Sequence, residues 1–269
     1  KIEEKITDKT KAVLPVHYAG QPCDMDRISE IAAKSNLVVI EDAAHAIGAE
    51  YKGRKIGTIG DLTVFSFHAA KNIVTGEGGI VTTDSEELYK KLLLLRSHGI
   101  DKSTLQRYGA AAGYEYDMKV LARNYRITDI QCAIGLTQLR RFNEFLARRN
   151  EIVNIYNREL SGIKEITIPF VSDNVKHAWH IYTILLNGLD RDRFFAEMKR
   201  QNIGVNVHYI PVYRHSYYRE RFGIKPELFP ATEDIFKRIV TLPLFPKMTG
   251  NDVTDVINAT KETVEKLRD

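Results

Sequence analysis

Apolar positions along the chain recur at two periods, and the periods alternate. Residues 12–17, AVLPVH, read as a buried strand. The turn AGQPCD follows, punctuated by Gly20 and Pro22. Asp24 is placed to cap a helix over 25–34, with Met25, Ile28, Ile31 and Ala32 at helical spacing. Residues 37–40, LVVI, make a short all-apolar strand. Strand, helix, strand is a βαβ unit, which predicts a parallel sheet with both faces covered. Strands over 62–67 and 80–83 come next. A helix then starts at Asp84 or Ser85 and runs to residue 95, with Leu88, Leu92 and Leu95 on one face.

Residues 96–123 lack a clear period, and a stretch that long is usually functional or mobile. Thr128 and Gln131 form a Thr-x-x-Gln capping box. It opens a long helix with Ile130, Ala133, Ile134, Leu136 and Leu139 on its apolar side. The helical pattern continues, more basic, to a boundary near residues 160–162, so the helix predicts a spine between two domains, 1–160 and 161–269. The second part predicts a smaller α+β domain. It reads as a strand over 180–186, a helix over 190–201 and an alternating strand over 204–210. A helix over 232–240 follows, and Thr249 with Asp252 caps a last helix ending near residue 267.

The 269 residues carry a net charge of +4 and are 43% hydrophobic, which suits an ordinary globular chain with a large core. Lys and Arg are dispersed, so charge predicts neither a nucleic-acid nor a membrane surface. Cys23 and Cys132 form no CxxC, which argues against a disulfide framework and suits a reducing cytoplasm. No apolar run approaches the about 18 residues of a membrane span.

Ligands of open α/β sheets bind at the carboxyl ends of the strands. Glu41, Asp42 and His45 stand at that end of LVVI; Ser66, His68 and Lys71 stand at that end of LTVFSF. Gly76, Gly78 and Gly79 follow and give a ligand room. A strand-end aspartate, a hydroxyl and a loop lysine are what pyridoxal phosphate uses. The lysine forms a Schiff base, and the aspartate pairs with the pyridinium nitrogen so that the ring accepts electrons. The amine is then free to move the proton. His177 and His180 are spaced HxxH, but two histidines without a third ligand make no metal site.

The run VVIEDAAHAIGAEYKGRKIGTIGDLTVFSFHAAKNIVTGEGGIVTTD closely resembles the DegT/DnrJ/EryC1/StrS family of sugar aminotransferases. PVHYAGQPCDMD, RSHG, NYRITDIQCAIGLTQL, HAWHIY, VHYIPVY and TLPLFP resemble further blocks of that family in the same order, across essentially the whole chain. The resemblance implies the aspartate-aminotransferase (type I) fold of pyridoxal-phosphate-dependent transferases, with a mainly parallel large domain and a smaller α+β one. It implies that Lys71 carries the Schiff base and moves the proton, that Asp42 pairs with the pyridine nitrogen, that His45 lies near the phenolic oxygen, and that Ser66 holds the phosphate. Asn124, in NYR, is implied to reach the phosphate in the partner subunit of a homodimer with shared active sites. Arg96, His98, His180, His208 and Tyr209 lie in blocks on the substrate side. Within that family the chain resembles bacterial enzymes that aminate C4 of UDP-linked 4-keto sugars, on the routes to 4-amino-4-deoxy-arabinose and pseudaminic acid. The expected reaction moves an amino group from glutamate, leaving 2-oxoglutarate, to a nucleotide-linked keto sugar for cell-surface polysaccharide or lipopolysaccharide.

The chain departs from the family at its start. Family members carry a longer segment ahead of the PVHYAGQP block, including the helix N-terminus that grips the cofactor phosphate. A protein starting at Lys1 would lack half of the cofactor cup, with weak cofactor binding and negligible turnover as the expectation. The competing reading is then a dimerising or regulatory remnant of the fold. The sugar 3-dehydratases of the same fold replace the lysine by histidine, and Lys71 argues against them.

Overall fold

The computed structural model describes residues 1–101 and 114–268, so part of the expected irregular stretch, 102–113, lies outside the described residues. Two compact units are present. The first comprises Lys1–Tyr18, Pro22–Phe142 and Asn174–Lys176; the second comprises Ala19–Gln21, Asn143–Asp173 and His177–Asp269.

The first unit is built on strands β1 (Ala12–Val13), β2 (Val38–Asp42), β5 (Leu62–Ser66) and β6 (Gly79–Thr82), in the order β1-β2-β5-β6. β1, β2 and β5 run parallel, as the βαβ pattern predicts. β6 runs antiparallel to β5, joined by a loop over 67–78 that folds back on itself through Phe67 N–H to Gly78 O and contains no helix. Helix α1 (Met25–Lys34) starts where Asp24 Oδ1 accepts the Arg27 N–H at 3.4 Å, and it buries Met25, Ile28, Ile31 and Ala32. Asn36, at φ +51, turns the chain back into β2.

Burial alternates along β2 and β5. Val39, Glu41, Thr63 and Phe65 are buried, while Val38 and Val64 are each 39% exposed. The face that carries Asp42 and Ser66 is thus the less covered of the two among the described residues. Strands β3 (Glu50–Tyr51), β4 (Arg54–Lys55) and β8 (Val175–Lys176) form a small antiparallel sheet in the same unit. Helix α2 (Glu86–Arg96) is capped by Ser85, whose Oγ accepts the Leu88 N–H.

Helix α3 (Asp129–Leu160) starts at the predicted box: Gln131 N–H donates to Thr128 Oγ1, and Thr128 N–H donates to Gln131 Oε1. It ends at Leu160, whereas the division between the units falls within it, at Phe142 and Asn143. In the second unit Ile152, Val153, Tyr156 and Leu160 of α3 enter one core. They join Phe194 and Met198 of α4 (Arg191–Arg200) and Val253, Val256, Ile257 and Val264 of α7 (Gly250–Arg268). Strands β7 (Ile166–Thr167), β9 (Tyr182–Leu186) and β10 (Ile239–Leu242) form an antiparallel sheet in this unit, in the order β10-β9-β7. Short helices α5 (Ser216–Phe222) and α6 (Pro230–Arg238) complete it. Two expectations change here. The helix predicted over 232–240 ends at Arg238, and the buried run IVTL becomes β10. The strand predicted over 204–210 is reduced to one bridge, Asn206 to Thr241. No helix among the described residues is long and apolar enough to cross a membrane.

Candidate active site

β2 ends at Asp42, and the register places Asp42 opposite Val64 of β5. Ser66 lies two residues beyond Val64, so its side chain shares the Asp42 face. Asp42 Oδ1 accepts the Ala44 N–H at 3.1 Å, which sets the rotation of the carboxylate.

The hairpin loop between β5 and β6 carries Lys71. It is closed by Phe67 N–H to Gly78 O and Thr75 N–H to Phe67 O, both 2.9 Å, and Lys71 N–H donates to His68 O at 2.9 Å. Ser66 Oγ accepts the His68 N–H at 3.3 Å. The glycines expected to make room for a ligand divide in purpose. A Cβ on Gly79 would stand 2.6 Å from Phe65 O, and one on Gly78 would stand 2.7 Å from Thr75 Oγ1, so both let the hairpin pack on itself. Gly76, at φ +83, faces open space. Gln131 Nε2 donates to Glu77 O at 2.8 Å, as does Thr75 Oγ1 at 2.7 Å, tying this loop to the start of α3.

Lys71 is half-buried. Burial lowers the proton affinity of its amine, and the negative charge of Asp42 opposes that shift without cancelling it. The predicted amine and carboxylate are therefore electrically coupled. His45, at the same rim, is buried with its ring 6.2 Å from that of Tyr18.

Of the remaining predicted residues, His98 and Asn124 belong to the first unit and His180, His208 and Tyr209 to the second. His98, at φ +62, is exposed and donates its N–H to Arg123 O at 2.9 Å. Asn124 bridges Ser97 and accepts the Arg126 N–H at 3.4 Å, so His98 and Asn124 belong to one local structure in the first unit. His180 is buried, and its carbonyl accepts from Arg149 Nη1 at 3.1 Å. His208 Nδ1 lies 2.8 Å from Thr241 Oγ1, and its ring meets that of Tyr209 edge-on at 4.7 Å. Tyr209 is 53% exposed. His177 stacks on Trp179 at 3.8 Å and accepts the Trp179 N–H, a core histidine.

Glu41, read from sequence as part of the rim, is fully buried on the opposite face of β2 and bonded to His17 at 2.8 Å. The period-2 rule that puts Asp42 on one face puts its neighbour on the other, and that signal was available in the sequence. The half-buried amine, its coupled carboxylate and the Ser66 hydroxyl, together at the carboxyl ends of parallel strands, fit pyridoxal phosphate by the chemistry of the donor set.

The DegT/DnrJ/EryC1/StrS aminotransferase family matches residues 1–261. Spore coat polysaccharide biosynthesis protein SpsC of Bacillus subtilis is 43% identical over 270 residues, spanning 98% of this chain and 69% of SpsC. Among solved structures, Spr1654 from Streptococcus pneumoniae in its PMP form superposes with a TM-score of 0.92 at 33% identity, covering 99% of this chain and 72% of that one. Its PLP form gives 0.90 at 32%. PseC from Helicobacter pylori, an aminotransferase involved in the biosynthesis of pseudoaminic acid, gives 0.88 at 30% identity over 98% of this chain and 70% of its own. The chain belongs to the DegT/DnrJ/EryC1/StrS aminotransferase family, and it is a transaminase that uses pyridoxal phosphate.

Proposed function

We propose that this protein moves an amino group from glutamate to a nucleotide-linked keto sugar, at C4 of a UDP-sugar, for a cell-surface polysaccharide or lipopolysaccharide. The observation that carries the reading is the placement of Asp42 and Ser66 on one face at the carboxyl ends of β2 and β5, with Lys71 in the loop that follows. The titles of SpsC, a polysaccharide biosynthesis protein, and PseC, an aminotransferase of pseudoaminic acid biosynthesis, support the sugar substrate.

Pyridoxal phosphate, when bound, supplies an electron sink for a carbon that loses or gains a proton. The protein's own groups do the rest. Lys71 Nζ, less basic than an ordinary lysine, spends more time as the neutral amine and can take a proton from carbon in one step and return it in another. Asp42 presents an anionic oxygen, rotationally set by the Ala44 N–H, that holds a proton on a ring nitrogen facing it. Ser66 offers a hydroxyl to a phosphate on the same face. His45 is assigned to the phenolic oxygen, and Asn124 to the cofactor phosphate of the other subunit in a cytoplasmic homodimer. His98, His180, His208 and Tyr209 are assigned to the sugar side. In this reading residues 1–160 form the large cofactor domain and 161–269 the small one.

The test is a mass-spectrometric screen of UDP- and dTDP-linked 4-keto sugars with glutamate and the full-length protein. A UDP-linked 4-amino sugar formed in step with 2-oxoglutarate is the expected product. Amination of only a free sugar, or of none, would overturn the substrate assignment.

A further inference from the structure

The main chain of Asp42 is bonded in both directions to a single segment. His17 N–H donates to Asp42 O at 3.0 Å, and Asp42 N–H donates to Pro15 O at 2.9 Å. The position of the Asp42 carboxylate therefore depends on how residues 15–17 sit against β2. That segment is anchored by a fully buried pair. His17 Nδ1 accepts the Cys23 N–H at 3.0 Å, which assigns the ring proton to Nε2. Nε2–H then donates to Glu41 Oε2 at 2.8 Å. The other oxygen, Glu41 Oε1, accepts the Gly60 N–H at 2.7 Å and the Thr63 hydroxyl at 2.8 Å. His17, Glu41 and Thr63 are each 0% exposed. Burial works against the Glu41 charge, but the bonds from His17, Gly60 and Thr63 outweigh it and hold the carboxyl below its ordinary range.

Three donors converge on Glu41, so the site requires a group that only accepts. A glutamine has nearly the same shape but must turn its NH2 toward at least one of those donors, whichever way the amide is placed. The pair sits on the face of β2 opposite Asp42, so its influence on a ligand there must pass through the main chain.

We propose that His17 and Glu41 are a positioning pair for Asp42. They register residues 15–17 on β2, and thereby fix the carboxylate that faces the cofactor, without touching the cofactor themselves. The same anchor places Tyr18 beside His45. The proposal rests on the reading of Asp42 as the cofactor's partner. A pair that merely stabilises the fold would weaken cofactor binding equally whether or not Asp42 carries its charge.

A double-mutant cycle separates the two. Cofactor affinity of the full-length apo-protein is measured for Glu41→Gln, for Asp42→Asn and for the double variant, alongside thermal melting. Thr63→Val, which keeps shape and removes one donor, runs through the same cycle in case Glu41→Gln does not fold. We expect Asp42→Asn to weaken binding. Glu41→Gln should weaken it by about tenfold with Asp42 present, and by less than about twofold in the Asp42→Asn background, where the charge is gone. Thr63→Val should follow the same pattern at smaller size. Equal losses in both backgrounds, or no loss with Asp42 intact, would overturn the positioning role alone. An Asp42→Asn variant that binds the cofactor normally would overturn the reading of Asp42, and the positioning role with it.

Discussion

Replacing Gly79 with alanine probes how tightly the lysine loop is held. Gly79 pairs with Ser66 across β5 and β6, and the loop with Lys71 hangs between them. A Cβ at Gly79 would stand 2.6 Å from the Phe65 carbonyl oxygen. An ordinary carbon–oxygen contact is about 3.3 Å or more, so the strands must part by roughly 0.7 Å. The obstacle is backbone, which cannot swing aside as a side chain can. Overpacking of this kind costs on the order of 1–3 kcal/mol. For a domain of this size about 2 kcal/mol lowers Tm by roughly 4–8 °C. Two controls bracket it. Gly162→Ala meets nothing within 4 Å and should be neutral to about 0.5 kcal/mol. Gly76→Ala also meets nothing, but its φ of +83 should cost about 1 kcal/mol. Thermal melting of the three variants as apo-proteins, followed by cofactor titration, is the assay. The expected order of destabilisation is Gly79→Ala, then Gly76→Ala, then Gly162→Ala. A Gly79→Ala protein that melts with Gly162→Ala would show that the Phe65 carbonyl does not hold the hairpin closed at Gly79.

Lys71 should react with an amine-selective reagent at lower pH than an ordinary lysine, because burial lowers its proton affinity; Asp42→Asn should move its profile lower still, since the opposing charge is gone. Peptide mass spectrometry of the pH–rate profile reads this, and a midpoint at or above the ordinary lysine value would contradict it. His177 is pushed by burial down to about 3, so the folded protein holds it neutral while the unfolded chain protonates it near pH 6.5. Its stabilising contribution is present above pH 6.5 and is lost as pH falls toward 3, so His177→Phe should flatten denaturant-measured stability across that window. Arg149 Nη1 donates to the carbonyls of Trp179, His180 and Leu244 at 3.0–3.1 Å, and Arg149→Met should cost on the order of 3 kcal/mol in chemical denaturation by leaving those acceptors unpaired.

Local signals in the sequence carry far where the structure is locally decided. Helix α1 runs over the predicted 25–34 because Asp24 caps it and its apolar residues recur on one face. The boxes at Thr128 with Gln131 and at Thr249 with Asp252 form the predicted bonds. The unit of β1, α1 and β2 predicts the parallel pairing of β1 with β2, and β5 extends it in parallel although β3 and β4, not a helix, join it to β2. Signals fail where a partner decides. Residues 204–210 alternate as a strand should, yet β10 offers them pairing only at Thr241. The strand's period of two already parts Glu41 from Asp42, but which of them faces the core is decided by the neighbouring elements. The partner of Glu41, His17, lies 24 residues away, and nothing local couples them.

The amino-transfer role of Lys71 is tested by loading the full-length protein with pyridoxal phosphate and mixing it with glutamate, with no sugar present. The visible absorption of the bound cofactor should change once, 2-oxoglutarate should appear in an equal amount, and Lys71→Ala should abolish both. A Lys71→Ala protein that turns glutamate into 2-oxoglutarate as the unaltered one does would contradict that role.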